Sequence, residues 1–129
     1  MSLHKNKILV LGHSPSSKEY CPRKGNPSIN RLNRWLDDCG VKIYSFSNAC
    51  AHRATSIKMS DISETYIKEI TESYNIILTL GNDVKHILTK MGIEHYPLPH
   101  PSPLNRKFND KKFEISVING LQSYLNVVK

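Results

Sequence analysis

The sequence lacks the features that mark membrane and secreted proteins. No apolar run approaches the roughly 20 residues of a transmembrane helix, and the first one, ILVLG, is too short for a secretory signal. Cys21, Cys39 and Cys50 form no CxxC pair and are odd in number, which favours reduced thiols over a disulfide framework. A metal site made by these cysteines and His52 is the disfavoured alternative. We expect a cytoplasmic protein without membrane association, metal or cofactor.

Acidic residues are also scarce, and they are unevenly distributed. The chain has 11 Asp and Glu against 18 Lys and Arg. Residues 1–58 carry ten basic and three acidic side chains, residues 59–98 carry three and six, and residues 99–129 carry five and two. Two basic ends around an acidic middle give one positive face if the ends meet in space. This segregation favours a polyanionic partner such as DNA or RNA over a protein that is merely basic and soluble.

The chain is short and contains no low-complexity tract. Its 129 residues, 39% of them hydrophobic, suffice for one ordered core and leave no room for a second. The sequence therefore predicts a single domain over residues 1–129, and we expect a monomer.

Strand and helix patterns alternate along the sequence. Continuous apolar runs are typical of parallel strands covered on both faces. They predict strands over Lys7–Gly12, Val41–Phe46, Asn75–Leu80 and Ile93–Leu98. Apolar residues at helical spacing predict helices that start at Asn26-Pro27, Asp61, Asn82 and Asn109. The alternation indicates the α/β class, as a three-layer α/β/α sandwich with a central four-stranded parallel sheet.

Polar clusters follow the predicted strands. In a parallel sheet, ligands bind outside the carboxyl ends of the strands. The clusters at those ends are Gly12-His13-Ser14-Pro15, Ser47-Asn48, Leu80-Gly81 and Pro99-His100. We expect them to converge on one edge of the sheet.

The stretch YPLPHPSPLNRK, from Tyr96 to Lys107, is the most unusual in the chain. Each of its four prolines fixes φ, removes an N–H donor and restricts the residue before it. The result is a stiff, extended loop that holds His100 in one place. A rigid histidine beside basic residues suits chemistry on a nucleotide, whereas the plain alternative is a proline-rich surface connection.

Several of these motifs resemble the uracil-DNA glycosylase superfamily. HPSPL, His100 to Leu104, is similar letter for letter to the second active-site motif of the first uracil-DNA glycosylase family. GHSP, Gly12 to Pro15, resembles the first motif. SFSNAC resembles the strand end whose asparagine reads the uracil edge. NPSINRLNRWLDDCG and TLGNDVKHIL are similar to helix regions of the smaller members, so the resemblance spans nearly the whole chain.

The resemblance implies catalytic roles for three residues. His100 would stabilise the anion of the departing base, as a preorganised donor does in an oxyanion hole. Ser14 stands where the family usually has Asp or Asn to position or activate water, and a hydroxyl has no basic form near pH 7. His13 or His52 is then a substitute base, since histidine titrates near neutral pH.

The same resemblance assigns substrate and DNA contacts. Asn48 would read the base edge, because an amide both donates and accepts hydrogen bonds. The remaining substrate contacts are Gly12, Pro15, Tyr20 as the stacking aromatic, and Ser102. Leu104 would fill the gap left by the flipped base. Asn105, Arg106 and Lys107 would hold phosphates, together with Ser102.

Each of these residues also has a purely structural interpretation. Asn48 would be a strand-end turn residue, Leu104 a core contact, Tyr20 a surface aromatic, and Arg106 and Lys107 a solvated charged pair. The cysteines do not match the iron–sulfur pattern of some members, so no cluster is implied.

Three functions are compatible with the sequence. The first is a DNA glycosylase that flips and excises uracil or a modified pyrimidine from DNA by hydrolysis of the N-glycosidic bond. The second is a catalytically weak or inactive nucleic-acid-binding member of the same fold, which Ser14 favours. The third is a small α/β enzyme that acts on free nucleotides.

Overall fold

The computed structural model describes residues 7–13, 27–50, 56–101 and 105–128. These residues divide into two compact units. The first contains residues 7–13, 43–50 and 56–98, and the second contains residues 27–42, 99–101 and 105–128. The single domain over residues 1–129 stays a prediction.

The first unit is a parallel sheet with two helices. Its strands and helices are β1 (Ile8–Gly12), β2 (Ser45–Asn48), α2 (Glu64–Glu72), β3 (Ile76–Leu80), α3 (Asn82–Met91) and β4 (Tyr96–Leu98). The strands are all parallel, in the order β2-β1-β3-β4. Every residue of β1 and β3 is buried, as their continuous apolar runs predict. The α/β class and the four-stranded parallel sheet are confirmed.

The core of this unit joins β1 and β3 to both helices. Ile67 of α2 and Leu88 of α3 are fully buried in the same apolar cluster as Leu9 and Leu11. The cluster also takes in Ala49, Cys50 and Ile57, which follow β2 along the chain. The residues directly after β2 are therefore fixed by core packing.

The second unit contains the other two helices, α1 (Pro27–Asp38) and α4 (Lys111–Val128). Proline at the first position of α1 is favourable, because the first N–H of a helix has no intrahelical partner. Trp35 is buried and its indole N–H donates to Glu114 of α4 at 2.9 Å. None of the helices in the described part of the chain is long and apolar enough to cross a membrane.

Two strands are shorter than the sequence predicts. β2 begins at Ser45 and not at Val41, because the Val41 N–H donates to Leu36 at 2.8 Å and closes the turn after α1. Ile43 lies 86% exposed before the strand. β4 begins at Tyr96 and not at Ile93, because the Ile93 N–H likewise closes α3 on Leu88 at 3.0 Å.

The helix starts also differ from the prediction. The cap of α2 is Ser63, whose hydroxyl accepts from the Tyr66 N–H at 3.2 Å. Asp61 instead accepts from the Lys58 N–H at 2.8 Å and ends a 3₁₀ turn, Met59–Asp61. Asp and Ser are both favourable cap residues. Ser63 is the cap because it directly precedes Glu64, the first residue of α2.

The caps of α3 and α4 are each displaced by one residue from the predicted position. Gly81, with a φ of 85°, precedes α3, so Asn82 is the first helical residue and not the cap. Asn109 ends the 3₁₀ turn Arg106–Asn109, and the Asp110 carboxylate accepts from the Lys112 N–H at 2.9 Å at the start of α4.

Replacing Ser63 by alanine should lower the free energy of unfolding by about 1 kcal/mol, because the Tyr66 N–H loses its acceptor. Urea denaturation of purified protein measures this change. Ser73→Ala, at the other end of α2, is the matched control. Ser73 closes the helix through its backbone N–H, which donates to Thr71, so its substitution should change stability by less than about 0.5 kcal/mol. Equal losses in both variants would contradict the assignment of the cap.

Candidate active site

Gly12 and Asn48 lie side by side at the carboxyl ends of β1 and β2. They are register partners in the sheet, and the Ala49 N–H donates to the Gly12 carbonyl at 2.8 Å. A Cβ at Gly12 would lie 2.7 Å from Phe46 Cζ and 2.9 Å from Asn48 Oδ1. Both distances are shorter than carbon atoms tolerate, so glycine is what leaves room for the Asn48 amide.

A cavity of about 600 Å³ opens beside Asn48. This volume lies within the range of small-molecule sites, about 300–1,000 Å³. The Tyr66 side chain, 43% exposed, is the aromatic group of its wall. The other lining residues are the apolar Ile62 and a set of polar or small residues, Asn48, Ala49, Cys50, Ser60, Asp61 and Ser63. The cavity thus combines apolar surface with amide, hydroxyl and carboxylate groups.

His13 contacts a carboxylate that the sequence analysis missed. Its Nε2 atom lies 2.9 Å from Oδ2 of Asp83, in the first turn of α3. The same oxygen accepts the Ile57 N–H at 3.0 Å. The side chains of His13 and Asp83 are 17% and 34% exposed. Asp83 lies just beyond the carboxyl end of β3, at the edge of the sheet where ligands bind. This position in the sequence could have identified Asp83 as a candidate site residue.

Asp83 is held in its ionised form. Partial burial by itself raises the pKa of the carboxyl group. The hydrogen bonds from His13 and from the Ile57 N–H, and the charges of His13 and His86, favour the carboxylate, and the pKa of Asp83 lies below its ordinary value. At neutral pH the group is therefore an acceptor with a full negative charge.

His100 lies in the second unit and is half-buried beside the buried Pro101. The Asn105 side chain donates from Nδ2 to the His100 carbonyl at 3.1 Å. Its Oδ1 accepts the Lys107 N–H at 3.2 Å. Asn105 thereby links the backbone of His100 to that of Lys107.

Arg106 and Lys107 are exposed on the 3₁₀ turn of the second unit. Phe108 of this turn has ring contacts with Trp35 at 5.5 Å and Phe113 at 5.2 Å between centroids. The Arg31 guanidinium lies 4.4 Å from the centre of the Phe108 ring. Aromatic and cation–π contacts therefore anchor the turn.

The structure brings together some of the predicted site residues. Gly12 lies beside Asn48, and Asn105 contacts His100. Others lie outside the described residues: Ser14, Pro15, Tyr20, Ser102 and Leu104. Within the described ranges, no group of three His, Cys, Asp or Glu side chains is arranged to hold a metal ion.

The comparisons with known proteins identify the family. The model of the uracil DNA glycosylase superfamily matches residues 2–122. The comparison with curated proteins gave no match. Members of this superfamily are glycosylases that act on DNA. Since the match covers almost the entire sequence, the chain belongs to the uracil-DNA glycosylase superfamily and has a glycosylase-like function with DNA as its partner.

Proposed function

We propose that this chain is a DNA glycosylase that flips uracil or a modified pyrimidine out of the stack and hydrolyses its N-glycosidic bond. The observation that carries the proposal is the Asn48 amide at the wall of a cavity of about 600 Å³. An amide can donate to a base carbonyl and accept from a ring N–H at the same edge. Base-flipping enzymes read the extruded base by such contacts together with stacking.

His100 is the proposed stabiliser of the leaving group. Cleavage leaves negative charge on the departing pyrimidine and positive character on the sugar. A donor already aimed at the base oxygen lowers the barrier by about 3 kcal/mol, as removal of one oxyanion-hole donor indicates. The bond from Asn105 to the His100 carbonyl and the buried Pro101 restrict this part of the backbone, which supports a preorganised role.

The exposed basic turn is the proposed phosphate contact. Arg106 and Lys107 stand next to Phe108, which is anchored by ring contacts and by Arg31. Phosphate contacts fix the position of a protein on nucleic acid without reading sequence. The family resemblance supports Ser102 as a further phosphate contact and Leu104 as the wedge that fills the vacated stack.

Excision should be detected with oligonucleotides that carry uracil, 5-hydroxymethyluracil or hypoxanthine, as abasic sites in single-turnover reactions. His100→Ala should slow excision by roughly two to three decades, because the leaving-group donor is lost. Asn48→Ala should weaken discrimination among the bases, because a pocket partner is left unmatched. His86→Gln and Asn126→Ala, on the exposed surfaces of α3 and α4, are the matched controls and should match the natural chain.

Two other outcomes would replace this proposal with an alternative. Binding of these oligonucleotides without abasic sites would mark a non-catalytic member of the superfamily. Cleavage of free nucleosides or nucleotides, with no action on oligonucleotides, would mark a small nucleotide enzyme.

Binding to duplex DNA should weaken steeply with salt, because bound phosphates release condensed counterions. Replacing Arg106 or Lys107 by glutamine should reduce the slope of log K against log salt by about 1 for each lost phosphate contact. Titration by fluorescence anisotropy at several salt concentrations measures the slope. Lys68→Gln, on the exposed surface of α2, is the control with the same loss of charge. Equal slopes in all these variants would show that the turn does not bind phosphates.

A further inference from the structure

The hydrolysis proposed above needs a base for the attacking water, and residue 14 is a serine. The contact between His13 and Asp83 supplies the chemistry that serine lacks. An ionised carboxylate only accepts hydrogen bonds, so the ring nitrogen that lies 2.9 Å from it, Nε2, carries the proton. In the neutral ring the basic nitrogen is then Nδ1. The carboxylate thus selects one tautomer of the imidazole and fixes the direction of its ring.

Asp83 is itself held from two sides. Its backbone belongs to the first turn of α3, which starts from Gly81 directly after β3. The Ile57 N–H donates to the same Oδ2 atom that His13 contacts. Both partners are less than half exposed, and a hydrogen bond of this kind is stronger there than in bulk water. The carboxylate therefore has little freedom to turn away from the histidine.

The backbone of His13 belongs to the same edge as Asn48. His13 directly follows Gly12, the register partner of Asn48, and its carbonyl accepts the Cys50 N–H at 3.0 Å. The residue that would read the base and the residue beside Asp83 are therefore attached to neighbouring strand ends within one unit. This placement puts a candidate water-activating group and the base reader at the same edge of the sheet.

We infer that Asp83 is a positioning residue that orients His13 as the general base of the glycosylase reaction. The inference rests on the proposed function. The water oxygen bonds to C1′ of the sugar while the bond from C1′ to the base nitrogen breaks, and its electron pair leaves with the base. The water proton passes to His13, which becomes imidazolium balanced by Asp83. The base anion later takes its proton from solvent.

The pair is tested with purified full-length chain, in single-turnover excision of the base that the natural chain removes best. His13→Ala should lower the rate by about 100-fold or more, the usual contribution of a general base. Asp83→Asn keeps an oxygen that accepts the Ile57 N–H but loses the charge, and we expect at least a tenfold loss. The double variant should be no slower than His13→Ala alone, because residues that act as a unit are not additive.

Two further measurements distinguish a loss of His13 ring orientation from a general loss of folding. The rate of the natural chain should rise with pH as a general base loses its proton, and this rise should vanish in His13→Ala. Nitrogen NMR of the ring should show proton on Nε2 in the natural chain and a mixture of tautomers in Asp83→Asn. Glu69→Gln, on the exposed surface of α2, is the control, since it removes one carboxylate charge outside the pair. Its rate and tautomer should match the natural chain.

The failures are distinguishable. If the natural chain forms no abasic sites at any pH, the proposed function falls, and this inference falls with it. If excision proceeds but Asp83→Asn keeps the natural rate, or slows His13→Ala by the same factor as it slows the natural chain, only this inference is overturned. Asp83 would then serve to hold Ile57 alone.

Discussion

The hydrogen-bonded pairing of β1 with both of its neighbours is the constraint on which the site depends. β1 lies between β2 and β3, and its register with β2 sets Gly12 opposite Asn48. A shift of one residue would turn every side chain of a strand to the other face of the sheet. The amide of Asn48 would then lose its place beside Gly12, where the missing Cβ leaves room for it. The positions of Gly12 and Asn48 are therefore fixed by burial of apolar strands rather than by contacts among the polar residues.

Burial explains which parts of the fold could be predicted from the sequence. β1 and β3 are buried along their entire length, so their apolar runs predict their bounds within one residue. β2 is only partly buried, and the apolar residue Ile43 lies exposed before it. Hydrophobicity cannot show that the Val41 N–H is used to close α1. The sequence also offers two good caps near α2, and only the hydrogen bonds choose Ser63 over Asp61.

The site residues also divide into those whose placement could be predicted from the sequence and those whose placement could not. Gly12 and Asn48 could be predicted because strand ends in a parallel sheet meet at one edge, and the motifs mark those ends. Asp83 could not be assigned, because its partner His13 is 70 positions away in the chain. The strand-end rule predicts an edge but does not say which side chains there touch. Asn105 could be predicted as a phosphate contact, but not as the residue that also bonds to the His100 carbonyl and the Lys107 N–H.

The strand order also determines how long β1 remains without its partner β3 during synthesis of the chain. β1 precedes the other strands in the chain, yet its partner on one side begins only at Ile76. At about 5–20 residues per second, at least ~3 s pass between the translation of these two strands. During that interval the apolar residues of β1 have no complete sheet to enter, and such exposed strands are the surface that chaperones bind and that aggregates recruit. β1, which is buried along its whole length in the folded protein, is thus a strand that stays without its full set of neighbours for most of translation.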